Sequence, residues 1–103
     1  QFIEAARQLA GRVLREGGDS IEARVVFGFR LATGRRPTQE ESSVIRVVYQ
    51  SQLARFRADE SAAKRLLQVG QASQSPQLDL AEQAAWTSVT RMLLNLDEAI
   101  TKG

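Results

Sequence analysis

The chain has 103 residues, of which 43% are hydrophobic and 25% charged, a composition that fits one ordinary globular domain able to bury a core unaided. It contains no Cys and no His, which removes disulfides, thiol nucleophiles, most zinc sites and any c-type haem attachment of its own, leaving carboxylates, lysines, hydroxyls or tyrosine for chemistry. The net charge is only +2, and twelve scattered arginines interleaved with acids fit solvated helix faces better than a phosphate-binding stripe.

Apolar residues at Phe2, Ile3, Ala6, Leu9, Ala10, Val13 and Leu14 fall on one helical face, with Glu4, Arg7, Gln8, Arg12 and Arg15 opposite. Gly17 and Gly18 end this first helix. Asp19 or Ser20 caps the second, in which Ile21, Val25, Val26, Phe27, Phe29, Leu31 and Ala32 leave only Glu22, Arg24 and Arg30 strongly polar. A helix apolar nearly all round belongs at the centre, so Ile21 to Ala32 is expected to be the most buried element, with Val25, Phe29 and Leu31 inside. Gly28 costs about 1 kcal/mol against Ala in a helix interior, and close passage of another helix across it would explain its presence.

A fixed corner follows. Gly34 suits a left-handed helix terminator, Pro37 forbids continuation, and Thr38 with Glu41 forms a capping box that opens the third helix, Gln39 to Arg57. That helix is expected to bury Val44, Ile45, Val48, Tyr49, Leu53 and Phe56. A shorter helix capped by Asp59 and closed by Gly70 buries Ala62, Ala63, Leu66 and Leu67. Gln71 to Gln77 reads as an exposed loop. Asp79 and Glu82 form a second capping box. The last helix then turns Ala85, Trp86, Val89, Met92, Leu93 and Leu96 inward, and Trp86 needs a partner for its indole N–H if it is buried. No alternating β-branched run argues for a sheet. The fold class is therefore all-α, a compact bundle of about five helices forming a single domain over residues 1–103, and the start inside a helical pattern without Met reads as a cut from a longer protein.

Two segments are candidates for an interaction surface. Arg35 and Arg36 stand at the corner, where they either bind an anion near a helix N-terminus or form a solvated corner that grips carbonyls or a neighbouring carboxylate. Asn95, Asp97 and Glu98 interrupt the apolar face of the last helix, and Asp97 pairs with a corner arginine or contacts a domain outside the chain. The acid pairs Glu40–Glu41 and Asp59–Glu60 sit at helix starts, where capping and the helix dipole account for them. No catalytic, cofactor-binding or metal constellation is legible, and the chain reads as a non-enzyme. A helix-turn-helix reading would place Thr38 to Arg57 in a major groove, but Glu40 and Glu41 would then lead toward the phosphates. No apolar run reaches the roughly 20 residues of a membrane span, and no signal peptide opens the chain.

FIEAARQLAGRVL, FGFRLATGRRPTQEE and AWTSVTRMLLNLDEAI, in this order and spacing, resemble the C-terminal part of a planctomycete cytochrome-associated family, domain of unknown function 1553. Relatives tend to carry a small or apolar residue where this chain has Arg36, and an aromatic where it has Ala99. The resemblance implies the C-terminal position in a large exported protein, periplasmic or at the cell surface, with other domains of that protein as partners and haem, if present, on one of them. It supplies no catalytic residues. The resulting expectation is a non-catalytic helical interaction module. The alternatives are a nucleic-acid-binding helical domain and, more weakly, part of a carboxylate-dependent hydrolase site completed by a missing domain.

Overall fold

The computed structural model describes residues 3–68 and 78–102, with side chains through residue 96. Five helices account for nearly all of them: α1 (Ile3–Glu16), α2 (Ile21–Thr33), α3 (Gln39–Ala58), α4 (Glu60–Gln68) and α5 (Leu80–Lys102), with no strand among the described residues. The all-α bundle read from the sequence is thus the observed fold. The expectations for Phe2, Gly70 and the Gln71–Gln77 loop lie outside the described residues.

The helix ends form where local chemistry places them. Ser20, rather than Asp19, caps α2, its hydroxyl accepting from the Ala23 N–H at 3.0 Å. Gly34 closes the same helix at φ 81°, a left-handed conformation that strains an L side chain, and its N–H donates to the Arg30 carbonyl at 2.8 Å. Thr38 and Glu41 complete both arms of the capping box on α3. Asp59 accepts from the Ala62 N–H at the start of α4, and Asp79 from the Glu82 N–H at the start of α5.

The helix at the centre is α5, which packs against each of the other four, most extensively against α1 and α3. The expectation that α2 would be the most buried helix is therefore corrected. Breadth of apolar surface mattered less than size: Ala81, Ala84, Ala85, Thr87 and Thr90 are all buried and short, so neighbours approach α5 from several sides around Trp86, Val89 and Leu93. Threonine counts as polar in a periodicity reading, yet here its hydroxyl is satisfied internally. Thr87 Oγ1 donates to the Gln83 carbonyl at 2.7 Å, and Thr90 Oγ1 lies 2.9 Å from the Ala6 carbonyl and 2.8 Å from that of Trp86.

Gly28 lies where the close approach predicted for it occurs. A Cβ placed there would come 3.2 Å from Val13 Cγ2 and 3.9 Å from the Trp86 ring. Trp86 is fully buried and stacks on Tyr49 with ring centroids 4.4 Å apart. Its indole Nε1 has no acceptor in hydrogen-bonding geometry among the described residues, so stacking and burial carry the residue. Burial raises the Tyr49 hydroxyl pKa, with the Glu82 carboxylate acting in the same direction.

Three further side chains depart from the sequence reading. Arg7, assigned to the polar face of α1, is buried: Ala6 and Ala10 beside it are so short that α1 sits close to its neighbours and the arginine stem is covered with them. Val44 is 60% exposed because the inward stripe of α3 centres on Ile45, Tyr49 and Phe56, and Val44 is rotated about 100° from Ile45. Leu96, placed on the core face of α5, is 52% exposed, one turn beyond the last fully packed residue, Leu93.

Candidate interaction site

The corner between α2 and α3 is held by one carboxylate. Glu41 receives two hydrogen bonds from the Arg35 guanidinium, at 3.0 and 2.9 Å, and a third from the Thr38 backbone N–H at 2.8 Å. Arg35 also donates to the Arg36 carbonyl at 3.1 Å and lies over the Phe29 ring, 4.9 Å from its centroid. Thr33 Oγ1 donates to the Phe29 carbonyl at 2.8 Å and accepts from the Arg35 N–H at 3.3 Å. Each contact follows from a residue in VFGFRLATGRRPTQEE. The Arg35 guanidinium, with the Thr38 N–H second, holds Glu41 at about 2, well below the ordinary 4.5.

Of the two readings of Arg35, the geometry is that of an arginine gripping a neighbouring carboxylate. Two of the N–H groups at the start of α3 that would attract a foreign anion, those of Thr38 and Glu41, are already taken up by the capping box. Arg36 differs from Arg35. It is exposed, forms no ion pair among the described residues, and with Arg30 borders a hollow of about 670 Å³ along the outward side of α2.

Asn95 is exposed and borders a second hollow with Ser88, Arg91, Met92 and Leu96. The side chains of Asp97 and Glu98 lie outside the described residues. Over their described length α2 and α5 advance in the same direction: Arg24 lies 3.9 Å from Glu82, and one turn later Gly28 lies against Trp86. The corner after α2 and the C-terminal part of α5 therefore point toward the same end of the bundle.

Several other acids are occupied by structure. Asp79 caps α5 and lies 3.6 Å from Arg57, while Glu22 pairs with Arg46 at 3.0 Å, tying α2 to α3. Among the described residues no three His, Cys, Asp or Glu side chains cluster as metal ligands would.

The surface that the sequence reading missed is the outward side of α2. Leu31, expected inside, is half-buried, as are Val26 and Phe27, and all three line the 670 Å³ hollow together with Ala23. A signal for it was present: a helix apolar on every side, in a chain this small, has more apolar surface than one core can absorb. Comparison of the chain with protein-family models, with curated proteins and with solved structures finds no match.

Proposed function

We propose that this chain is a non-catalytic helical interaction module that packs against, or orients, other domains of a larger exported protein. The observation that carries the reading is the contrast at the corner. Arg35 is consumed by Glu41, whereas Arg36 and Arg30, without ion pairs among the described residues, stand beside apolar residues that the core covers only in part. Surfaces combining an apolar floor with a charged rim are typical of partner contacts.

The wider context rests on the resemblance to domain of unknown function 1553, carried by the corner and by the LNLDEAI ending of α5. On that reading the protein is planctomycete and exported, and haem, where it occurs, belongs to another domain. Arg35, Arg36, Asn95, Asp97 and Glu98 are the proposed interaction residues, and Arg35 acts in this set by holding the corner that presents Arg36.

Double substitution in the full-length protein tests the proposal. Asp97→Ala with Glu98→Ala, and separately Arg36→Ala, should weaken association with the remaining domains while folding stability stays within about 1 kcal/mol. Unchanged association in both variants would overturn the module reading. A full-length sequence with a cytosolic regulator architecture, lacking an export signal and an upstream Cys-x-x-Cys-His, would instead favour nucleic-acid binding.

A further inference from the structure

On the outward side of α2 a continuous apolar surface adjoins two cations, Arg30 and Arg36, that have no ion pair among the described residues. Ala23, Val26, Phe27 and Leu31 form its floor, and the hollow continues past Gly34 to Arg36. From Ala23 to Gly34 the helix rises by roughly 16 Å, about three turns, which matches the length over which a second helix lays three apolar anchors. No acidic residue lines the hollow, whereas Arg30 and Arg36 both do. Among the described residues neither has an ion pair, although acids elsewhere on the surface engage Arg12, Arg24, Arg35, Arg46 and Arg57.

We infer that this groove docks an acidic amphipathic helix from another polypeptide segment, its apolar side chains on Val26, Phe27 and Leu31 and its carboxylates on Arg30 and Arg36. The inference rests on the interaction-module reading and names the partner's chemistry. An apolar helix face alone would fill the floor but leave two guanidinium groups at the rim without counter-charge. A basic helix would meet like charge there. Charge complementarity therefore selects among helices that fit the floor equally well. The same arrangement explains why α2 carries two apolar sides: Val25, Gly28, Phe29 and Ala32 hold the fold, and the other side is kept for the partner.

A display library of helical peptides about 18 residues long, with apolar positions fixed at i, i+3, i+4 and i+7 and all others randomised among Asp, Glu, Lys and Arg, provides the test. Panned on the 103-residue chain at physiological salt, it should enrich Asp and Glu beside the apolar stripe. A selected peptide, labelled and titrated by fluorescence anisotropy, should bind the Arg30→Glu, Arg36→Glu variant at least about tenfold more weakly, and its lysine-substituted form should show the opposite preference. Both substituted residues are exposed, and circular dichroism should show an unchanged fold. Failure to enrich any binder, enrichment without acidic bias, or binding indifferent to the charge reversal would overturn the inference. So would sedimentation showing that the chain pairs with itself through this face. If the peptides fail while Asp97→Ala with Glu98→Ala still weakens domain association, the groove assignment falls and the module reading stands.

Discussion

Helices α2 and α5 are both rich in apolar residues, yet the bundle uses them in opposite ways. Helix α5 is surrounded, with Trp86, Val89 and Leu93 fully or almost fully buried and contacts to every other helix. Helix α2 is two-sided, burying Val25 and Phe29 and leaving Val26 and Leu31 along an open hollow. What separates them is side-chain size. The alanines and threonines of α5 let several backbones come close at once, while on α2 the short residues on the inward side are Gly28 and Ala32, and α1 and α5 meet at Gly28. An apolar helix occupies the centre when it is narrow, and it becomes a surface with spare apolar area when it is wide.

The largest expected effect tests the central role of α5. Trp86→Ala removes the stacked ring under Gly28 and beside Tyr49, and should cost about 3–5 kcal/mol in equilibrium urea unfolding, enough to unfold a domain of this size. A smaller effect is expected at the close contact between the two compared helices. Gly28→Ala gains about 1 kcal/mol of helix propensity, but its methyl meets the fully buried Val13 at 3.2 Å. The balance should be a net loss of about 1 kcal/mol, and a gain in melting temperature would show that Val13 has room to retreat.

The corner should give a pH dependence of definite sign. Because Glu41 sits at about 2 in the folded chain against the ordinary 4.5, its contribution is complete above 4.5 and is lost as pH falls toward 2. Glu41→Gln should lower stability at neutral pH and flatten the acid limb of the stability curve between those values. An unchanged acid limb would separate Glu41 from the corner's stability. The smallest effect is expected at the exposed valines of α3, where Val44→Gln with Val47→Gln should leave stability within about 0.5 kcal/mol.

Much of this was readable in the sequence because it depends on neighbours along the chain. The corner is the clearest case: Gly34, Thr38 and Glu41 act over a few residues, so residue type alone fixed the left-handed cap and the capping box. The centre of the bundle was not readable in the same way. Periodicity ranks residues by hydropathy, and it therefore discounted Thr87 and Thr90, whose hydroxyls are satisfied by carbonyls of α5 and, for Thr90, of the distant Ala6. It also placed Val44, Leu31 and Leu96 inside and Arg7 outside, because burial at a stripe's edge depends on which helices pass and how closely. At the candidate site the sequence named Arg35 and Arg36 together, whereas pairing divides them: Arg35 belongs to Glu41, and Arg36 to the hollow.

The two-sidedness of α2 is open to one paired unfolding measurement. Phe29 and Leu31 are two residues apart on the same helix, one 5% exposed in the core and the other half-buried on the hollow. Phe29→Ala should lose about 3–5 kcal/mol of unfolding free energy, whereas Leu31→Ser should lose no more than about 1 kcal/mol. Comparable losses in the two variants would place Leu31 in the core and contradict the existence of a spare outward face.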